Sequence, residues 1–316
     1  MSILEVKNLR KSFNGKGGEK IYAVNGVSFS LKTGEILGVV GESGCGKSTL
    51  GHSILRLNEP DSGEVFYEGT EILKLKKAKL KNFRQSIQII FQDPFGSLNP
   101  RHKVERIIGE PLHIHKVGKK EERQTKIEAL LEIVGLPINA KSKFPHQFSG
   151  GQRQRIAIAR ALALDPKVII ADEAVSALDV SIQSQILNLI NELRARLQLS
   201  IIFISHDLSV INYISDTVAV MYSGKIIEIG PTNDIMNKPK HPYSQLLLAS
   251  VPTISFSRKA RDVTIEGEPP DPSIQTIGCS FYSRCPKKSK KCQNEIPKLQ
   301  VQNNNSEHQI ACHHLS

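Results

Sequence analysis

The chain has 316 residues, 39% of them hydrophobic and 23% charged, with a formal net charge of +11. This composition excludes an intrinsically disordered chain, and the length predicts about two domains. Apolar runs such as Val168–Ala171 are far shorter than the roughly twenty residues of a membrane-spanning helix, and we expect no signal peptide. The positive charge favours contact with nucleotide phosphates, nucleic acid or an anionic membrane surface, without choosing among them.

The first part of the chain predicts short strands around a glycine-rich loop. Residues 1–35 alternate apolar and polar positions, which is typical of half-buried strands. Residues 35–40 form a denser apolar run, as expected of a strand covered on both faces. After the loop, residues 50–57 have helical spacing. Six basic residues between 74 and 84 favour a solvated helix face over a specific binding patch.

The middle of the chain alternates helical and strand patterns. Helical periodicity covers residues 103–135, and an amphipathic helix is predicted at 180–198. Buried strands are predicted at 168–171, 201–204 and 218–221. This alternation predicts an α/β core with a mainly parallel sheet. From about residue 237 prolines and polar residues become frequent, which predicts a loop-rich appendage.

One glycine-rich loop predicts a phosphate site. Residues 41–49 fit the pattern G-x4-G-K-[ST] between a predicted buried strand and a helix. The glycines let backbone N–H groups turn inward around phosphate oxygens, and the helix N-terminus adds positive partial charge. In such a loop the lysine reaches the β- and γ-phosphates, and the serine hydroxyl binds Mg²⁺. The predicted phosphate contacts are Gly41, Glu42, Ser43, Gly44, Cys45, Gly46, Lys47, Ser48 and Thr49.

Two carboxylates follow a predicted buried strand. Asp172 stands at the strand end, where ligands bind in open parallel sheets, and it is suited to hold Mg²⁺ through water. The adjacent Glu173 is suited to polarise an attacking water. Alone, such carboxylates are equally common as solvated or capping groups. Together with the phosphate loop they favour catalysis.

A third motif, Phe148-Ser149-Gly150-Gly151-Gln152, stands directly ahead of a predicted helix. Its serine and glycines are able to present backbone donors to a phosphate, although the residues alone equally predict a helix N-cap. Its position ahead of Asp172 resembles the signature motif of ATP-binding cassette (ABC) ATPases. Other motifs of that family occur in the expected order along the chain. They resemble a glutamine loop at Gln92, a D-loop at 176–179 and a switch histidine at His206.

The resemblance covers residues 1 to about 235. It implies an α/β ABC-type P-loop domain at 1–236, with a RecA-like core, an N-terminal antiparallel β subdomain and an α-helical signature subdomain at about 93–160. Residues 237–316 are then a small cysteine-rich domain. Phe13 resembles the aromatic residue that stacks on adenine, and Tyr22 is a weaker candidate. Ala174 departs from the family, which usually has proline after the glutamate.

In this family ATP lies between two subunits, so the resemblance implies a nucleotide clasped by one subunit's phosphate loop and the partner's signature motif. Glu173 is then the general base, His206 senses the γ-phosphate, and Lys47 and Gln92 complete the catalytic set. The expected Mg²⁺ ligands are Ser48, Gln92 and Asp172. The expected ATP contacts outside the phosphate loop are Phe13, Gln92, Ser149, Gly150, Gly151, Gln152, Asp172, Asp179 and His206.

Further motifs narrow the resemblance to one branch of the ABC ATPase family. Residues 92–100, the stretch 148–181 and the tail resemble dipeptide and oligopeptide importers; the tail motifs are His241-Pro242-Tyr243, Gly278-Cys279, Arg284-Cys285-Pro286 and residues 308–313. Within that class, residues 41–49 and 97–100 more closely resemble the second of the two paired ATPases. The resemblance implies a related but different ATPase partner, two integral permease subunits and an extracytoplasmic binding protein. It places the chain at the cytoplasmic face of the cell membrane, with a permease coupling helix docked after Gln92. Nickel, glutathione and some oligosaccharide importers share these features.

Four of the five cysteines cluster near the C-terminal end, at Cys279, Cys285, Cys292 and Cys312. In a chain without a signal peptide, such a cluster favours a metal or cluster site over disulfides. Four thiolates suit either tetrahedral Zn²⁺ or a [4Fe–4S] cluster, and the spacing matches neither a zinc ribbon nor a ferredoxin run. The resemblance favours the [4Fe–4S] cluster, with Zn²⁺ and free thiols as alternatives. His308, His313 and His314 are possible substitute ligands.

Two other classes compete with a transporter subunit. A soluble ABC ATPase of nucleic-acid metabolism would explain the charge of +11. Those relatives carry paired cassettes, long coiled coils or large zinc modules, and the sequence predicts none of them, so we expect no nucleic-acid partner. A P-loop kinase would leave the signature motif unexplained.

Overall fold

The structure is a computed structural model that describes residues 1–15, 18–250, 277–302 and 305–314. The part of the predicted loop-rich tail at 251–276 lies outside these residues. The strands are β1 (Ser2–Asn14), β2 (Lys20–Lys32), β3 (Ile36–Val40), β4 (Ser62–Tyr67), β5 (Thr70–Glu71), β6 (Ile87–Ile90), β7 (Val168–Asp172), β8 (Ser200–Ile204), β9 (Thr217–Tyr222), β10 (Lys225–Pro231), β11 (Gln300–Gln302) and β12 (Asn305–Ile310).

The α-helices are α1 (Lys47–Ile54), α2 (Lys77–Ser86), α3 (Pro94–Ser97), α4 (Val104–Ile114), α5 (Lys120–Ile133), α6 (Gly150–Leu162), α7 (Val180–Leu197), α8 (Leu208–Ile214), α9 (Thr232–Asn237), α10 (Pro242–Ala249) and α11 (Lys290–Asn294). Short 3-10 helices lie at Ile138–Ser142, Pro145–Gln147 and Tyr282–Arg284. The predicted strands at 168–171, 201–204 and 218–221 and the helix at 180–198 are therefore confirmed.

The chain divides into two compact units. Unit 1 comprises Met1, Lys32–Glu35 and Lys74–Ile204, and unit 2 comprises Ser2–Leu31, Ile36–Leu73 and Ser205–Ser316. The boundary expected between residues 236 and 237, and the helical subdomain at about 93–160, stay predictions.

Unit 1 contains the parallel strands β6, β7 and β8. Val168 on β7 faces Ile87 on one neighbour and Ser200 on the other. All residues of β7 and β8 are buried, as expected of parallel strands covered on both faces. Helices α4, α5 and α6 pack together in the same unit. Asp172 is the last residue of β7, so the parallel strands carry that carboxylate to their C-terminal edge.

Unit 2 contains two groups of strands. An antiparallel sheet has the strand order β2-β1-β4-β5, which agrees with the predicted N-terminal β subdomain. In the second group, β3 lies parallel to β9, and β10 pairs antiparallel with β9. The strand β3 is entirely buried and ends at Val40, so it delivers the chain directly into the phosphate loop.

Within 277–302 and 305–314, the described residues do not support the cysteine-rich appendage expected from the sequence. Strand β12 pairs antiparallel with β10, with Glu228 opposite Ile310, and β11 pairs with β12. Ile310 is fully buried in this arrangement. The composition of the tail predicted loops, but β11 and β12 gain backbone hydrogen bonds, and Ile310 gains apolar burial, by extending the sheet of unit 2.

A buried carboxylate fixes the C-terminal part of unit 2. Glu228 on β10 is fully buried and accepts hydrogen bonds from the backbone N–H groups of Lys240, at 2.8 Å, and His241, at 3.0 Å. Its Oε1 lies 2.8 Å from Nε2 of His308 on β12. Burial alone would raise the pKa of the Glu228 carboxyl. The hydrogen bonds together lower the pKa by a larger amount, so it lies below its ordinary value.

The same network orders helix α10. The Nδ1 atom of His241 accepts a hydrogen bond from the backbone N–H of Tyr243 at 3.0 Å and caps the helix. Burial lowers the pKa of His241 to about 4, so its ring is neutral near pH 7 and Nδ1 remains an acceptor. The His241-Pro242-Tyr243 motif is therefore the start of a helix anchored on Glu228.

Replacing Glu228 with alanine leaves three donors without their acceptor, and we expect it to lower the free energy of unfolding by about 3 kcal/mol at pH 7. The folded-state pKa of Glu228 is lower than the unfolded value of about 4.3, so its stabilisation is present above that value and is lost as the pH falls through the folded pKa. The difference from the wild-type chain should therefore shrink below about pH 4. Denaturant unfolding at pH 7 and at about pH 3.5 measures both the loss of unfolding free energy and its dependence on pH.

The exposed Glu64 on β4 provides a matched control. Glu64→Ala should change the unfolding free energy by less than about 0.5 kcal/mol. An equal loss in the two variants, or a Glu228→Ala difference that does not depend on pH, would contradict the role of this network.

Candidate nucleotide-binding site

The phosphate loop of unit 2 joins β3 to α1. Gly46 is the N-cap of α1 with φ +105°, and a Cβ there would lie 1.8 Å from the carbonyl oxygen of Ala23. This position therefore requires glycine on both conformational and steric grounds. The N–H of Gly224 donates to the carbonyl of Cys45 at 2.9 Å, which fixes the outer side of the loop. Ser48 and Thr49 lie in the first turn of α1.

The side chain of Lys47 is held inside this loop. Lys47 is 5% exposed, and its Nζ donates to the carbonyl oxygens of Gly41, at 2.8 Å, and Glu42, at 2.9 Å. Burial raises the pKa of the Cys45 thiol, while the Lys47 charge opposes that shift. The loop therefore holds a buried cation beside a neutral thiol, and its carbonyls orient that cation.

Unit 1 brings Gln92 and Glu173 together. The Nε2 atom of Gln92 donates to Oε2 of Glu173 at 2.7 Å. Glu173 follows the buried Asp172 and has φ +47°, a left-handed conformation that is uncommon outside glycine. Its N–H donates to the carbonyl of Ile204 at 3.0 Å, and its carbonyl accepts from the Ser176 hydroxyl at 3.0 Å. These bonds hold the backbone turn that aims the Glu173 side chain at Gln92.

The signature segment of unit 1 starts helix α6. The Ser149 hydroxyl accepts from the N–H of Gln152 at 3.4 Å, and Oε1 of Gln152 accepts from the N–H of Ser149 at 3.0 Å. This capping box shows that the N-cap considered from the sequence is present. A Cβ on Gly151 would lie 2.4 Å from Cγ2 of Ile182 on α7, so glycine permits the close approach of the two helices.

Asp179 caps the neighbouring helix α7. Its Oδ1 accepts from the N–H of Ile182 at 3.0 Å and from the Ser181 hydroxyl at 2.8 Å. These hydrogen bonds to the charged form lower the pKa of the Asp179 carboxyl. The structure thus gives Asp179 a capping role, while its predicted contact with ATP stays a prediction.

Two other predicted residues lie in unit 2. Phe13 on β1 is 41% exposed, and the Nζ atom of Lys11 lies 5.2 Å from the centre of its ring. His206 is exposed and follows Ser205, whose N–H donates to the carbonyl of Val39 at 3.1 Å. Each unit therefore contains some of the residues that the sequence predicts to bind or hydrolyse ATP. The phosphate loop, Phe13 and His206 belong to unit 2, whereas Gln92, Asp172, Glu173, the signature segment and Asp179 belong to unit 1.

The cysteines of the tail approach one another in unit 2. The N–H of Cys279 donates to the carbonyl of Cys292 at 2.8 Å. Burial, followed by the nearby thiols of the other three cysteines, raises the pKa of Cys279 to about 11. Nevertheless, over residues 1–15, 18–250, 277–302 and 305–314, no group of three or more His, Cys, Asp or Glu side chains is arranged to hold a metal ion. The expectation of a formed [4Fe–4S] or Zn²⁺ centre is thus not supported.

The neighbouring histidines have other partners. Nε2 of His308 lies beside Glu228, Nε2 of His313 lies 2.9 Å from the carbonyl of Glu295, and Nε2 of His314 lies 3.0 Å from the Ser289 hydroxyl. Their proposed role as substitute metal ligands is therefore not supported either.

The sequence did not predict two contacts that the tail makes with the phosphate loop. The Arg284 guanidinium pairs with the Glu42 carboxylate, and the Tyr243 hydroxyl accepts from the Glu42 N–H at 3.0 Å. Glu42 and Arg284 are 242 positions apart, so no local periodicity links them. The only signal was that both tail residues lie in motifs that resemble the peptide importers.

Comparisons with known proteins identify the family. Residues 24–176 match the family described as ABC transporter, and residues 227–292 match the oligopeptide/dipeptide transporter C-terminal region. The oligopeptide transport ATP-binding protein AppF of Bacillus subtilis (strain 168) is 47% identical over 321 residues, which cover 99% of this chain and 97% of AppF. The dipeptide transport ATP-binding protein DppF of Escherichia coli (strain K12) is 46% identical over 302 residues, covering 94% of this chain and 90% of DppF.

Solved structures agree with the fold. CbiO1 of Clostridium perfringens, part of the ABC transporter complex cbiONQ, has a TM-score of 0.66 at 29% identity, covering 75% of this chain and 91% of CbiO1. A dimeric post-hydrolysis state of the ATP-binding cassette MJ0796, bound to ADP and Pi, has a TM-score of 0.65 at 30% identity, covering 72% of this chain and 98% of that one.

The fold and the motif-bearing loops are those of an ABC ATPase. Such an ATPase acts as a dimer, as the MJ0796 structure illustrates. With 47% identity over almost its whole length, this chain belongs to the family of ATP-binding subunits of oligopeptide and dipeptide ABC transporters. Membership of this family implies permease partners in the membrane. In the part of the chain that the structure describes, no helix has both the length and the apolar character needed to cross a bilayer.

Two glycines of the phosphate loop provide a matched test of its geometry. Gly46→Ala places a methyl group against the Ala23 carbonyl, and we expect a loss of about 3 kcal/mol or more in unfolding free energy together with loss of ATP binding. Gly44 also has a positive φ, of +78°, but a Cβ there meets no atom within 4 Å, so Gly44→Ala should cost only about 1 kcal/mol. Thermal unfolding and calorimetric titration with ATP measure the two effects. Equal losses in the two variants would show that the Ala23 contact does not restrict the loop.

Proposed function

We propose that this chain is the ATP-hydrolysing, energy-coupling subunit of an importer of di- and oligopeptides. The observation that carries the catalytic part is the 2.7 Å hydrogen bond from Gln92 to Glu173, directly after the buried Asp172. The substrate class rests on the relatives AppF and DppF, whose names specify oligopeptide and dipeptide transport. Nickel, glutathione or oligosaccharide import is the alternative within the same branch.

The phosphate loop supplies the binding charge. The Lys47 ammonium is already desolvated and is held by the Gly41 and Glu42 carbonyls. A triphosphate in the loop offers anionic oxygens to the same cation, which form stronger, charge-assisted hydrogen bonds than neutral carbonyls do. Backbone N–H groups at the start of α1 add partial positive charge. Phe13, being partly exposed, provides a face on which adenine stacks.

Glu173 is the proposed general base. Its carboxylate is aimed by the hydrogen bond from Gln92 and by the left-handed backbone at residue 173. In this position it would accept a proton from the water that attacks the γ-phosphate, and Asp172, Ser48 and Gln92 would hold Mg²⁺ directly or through water. His206 contacts the γ-phosphate and reports its loss. When bound, Mg²⁺ neutralises charge that develops on the phosphate oxygens.

A second subunit completes the site in this proposal. Ser149 and Gln152 are exposed at the start of α6, where the helix offers N–H donors and positive partial charge to a phosphate. The segment Ser149–Gln152 therefore binds the ATP held by a partner cassette. We infer that the partner is a related but different ATPase, because the loop motifs at 41–49 and 97–100 resemble those of the second of two paired subunits. Closure around ATP and reopening after hydrolysis would drive transport.

The membrane partners follow from the same assignment. The segment after Gln92 carries Phe95, which is 60% exposed and stacks on the Arg153 guanidinium of α6 at 3.9 Å. This contact joins the glutamine loop to the signature helix, so a permease coupling helix that docks on Phe95 would also move the signature segment. We place the chain at the cytoplasmic face of the membrane, with two permeases and an extracytoplasmic binding protein in the complex. No nucleic-acid partner is required.

Glu173→Gln tests the catalytic assignment in the assembled complex. The amide keeps the hydrogen bond geometry but cannot accept a proton from water, so we expect ATP turnover and uptake of a labelled dipeptide to fall at least about a hundredfold. ATP should still bind and hold the two ATPases together. Phosphate release, vesicle uptake and the mass of the ATP-bound ATPase pair are the measurements, and the mass separates a heterodimer from two copies of this chain.

The exposed Glu192 on α7 is the matched control, and Glu192→Gln should retain full turnover. Turnover near the wild-type level in Glu173→Gln would remove Glu173 from the role of base. Wild-type turnover without uptake of any peptide would instead contradict the substrate class.

We also propose that the four cysteines bind a structural [4Fe–4S] cluster, with Zn²⁺ as the alternative. The proposal is supported by the four-cysteine content of the tail and by the 2.8 Å backbone hydrogen bond from Cys279 to the carbonyl of Cys292, which brings two of the four cysteines together. Four thiolates are the ligand set of both groups. A bound group would join segments of unit 2 that are short and rich in loops, and so would add to its stability.

Anaerobic purification should therefore yield brown protein with about four iron atoms and four acid-labile sulfides per chain. Iron, sulfide and zinc analysis with an absorption spectrum measures this directly. Cys285→Ser should lower the iron content and the unfolding temperature, whereas Cys45→Ser, outside the cluster, should leave the iron content unchanged. Stoichiometric zinc without sulfide would establish the alternative, and thiols free of both metals would contradict the proposal.

A further inference from the structure

An ion pair connects the cysteine-bearing segment to the phosphate loop within unit 2. Nη1 of Arg284 donates to Oε2 of Glu42 at 3.0 Å, and Nη2 donates to Oε1 at 2.9 Å. The Arg284 side chain is 5% exposed and the Glu42 side chain 24%. Bidentate pairs of this kind, shielded from water, are stronger than exposed ion pairs and fix the relative orientation of both groups. Glu42 is the second residue of the phosphate loop.

A cluster of rings holds Arg284 in place. Its Nη1 also donates to the Tyr222 hydroxyl at 3.3 Å, and its guanidinium lies 5.8 Å from the Tyr222 ring centre and 6.0 Å from that of Phe281. Phe281 is 1% exposed and contacts Tyr222 at 5.3 Å and Tyr243 at 5.5 Å between ring centres. Arg284 and Phe281 both lie between Cys279 and Cys285. The segment that carries the thiols is therefore also the one that sets the position of the guanidinium.

The backbone of Glu42 takes part in the phosphate site itself. Its carbonyl accepts from Lys47 Nζ at 2.9 Å, and its N–H donates to the Tyr243 hydroxyl at 3.0 Å. The tail thus contacts Glu42 on two sides, through Arg284 at the carboxylate and through Tyr243 at the N–H. A shift of Glu42 would move a carbonyl that orients the Lys47 ammonium.

Charge gives the pair a second effect. The Glu42 carboxylate lies in a loop that binds a polyanion, where an unpaired negative charge repels the phosphates. Arg284 neutralises it at hydrogen-bond distance. The hydrogen bonds to Glu42 are also the main reason that the pKa of Arg284 is raised, so the guanidinium stays charged at any physiological pH.

We propose that Arg284 is a positioning residue for ATP binding, which fixes and neutralises Glu42 so that the ATP affinity depends on the cysteine-bearing segment 279–285. The inference rests on the proposed function, because it assumes that the loop binds ATP. Arg284 acts through Glu42 and does not itself contact the nucleotide. Rearrangement of segment 279–285 would then be transmitted to the phosphate loop through this pair.

Arg284→Met tests the proposal in the full chain. The variant keeps much of the packing but leaves the Glu42 carboxylate unpaired, so we expect the Kd for ATP to rise about tenfold, equivalent to the loss of one charged hydrogen-bond pair. In the assembled complex KM for ATP should rise by a similar factor, with kcat at saturating ATP changed less than about twofold, because the reacting groups are untouched. Arg284→Lys keeps the charge without the bidentate geometry and should give an intermediate Kd.

Rescue separates positioning from a merely structural role. In the double variant Glu42→Gln/Arg284→Met the repulsive carboxylate is gone, and we expect the Kd to return to within about threefold of the wild-type value. If Arg284 only supported the fold of the tail, the second substitution would restore nothing. The exposed Lys290 in the same tail is the control, and Lys290→Met should leave the Kd unchanged.

The remaining outcomes are distinct. An unchanged Kd in Arg284→Met, or a Kd that stays raised in the double variant, overturns the inference while leaving ATP binding by the wild-type chain intact. Wild-type chain that fails to bind ATP overturns the proposed function instead. If Arg284→Met does not fold, the Kd for ATP is compared between the Arg284→Lys variant and the single Glu42→Gln variant. Equal Kd values in those two variants would also contradict the inference.

Discussion

The buried ammonium of Lys47 is the charge on which the geometry of unit 2 depends. A cation that is 5% exposed must be compensated, and here two carbonyls of its own loop provide the compensation. Those carbonyls are directed inward only because Gly46 takes a conformation closed to other residues and because β3 ends immediately before the loop. Strand β3, the phosphate loop and helix α1 together hold the Lys47 ammonium at the position where we propose that the phosphates bind.

Much of this part could be predicted from sequence because its causes are local. The pattern of residues 41–49 predicts a strand, a turn and a helix within a few positions, and the dense apolar run at 168–171 is typical of a parallel strand that is buried on both faces. The position of Asp172 at a strand end follows directly. The N-cap at Ser149 was also within reach, since the glutamine three residues later completes a capping box.

Other features depend on partners that are distant in sequence. Neither Glu42 nor Arg284 has a local partner that would indicate their pairing, and Glu228 gives no sign that His308 will complete its hydrogen bonds. The tail was expected to be a separate appendage because its composition is rich in proline and polar residues. Its last strand instead takes its structure from β10, and composition carries no information about which edge a strand will join. The clustering of cysteines led to the expectation of a metal centre, which the described residues do not support, because spacing alone could not establish a coordination geometry.

The pairing of β12 with β10 also bears on the tendency of the chain to aggregate. Strand β10 is buried over most of its length and has an apolar sequence, and without β12 its backbone would offer a row of open hydrogen-bonding groups next to exposed isoleucine side chains. Edges of that kind recruit strands from other molecules and lead to aggregation. A chain shortened before residue 300 would keep every motif of the ATPase, but β10 would become an exposed edge strand that is prone to aggregation. The tail is therefore a cover for the sheet as well as the carrier of the cysteines.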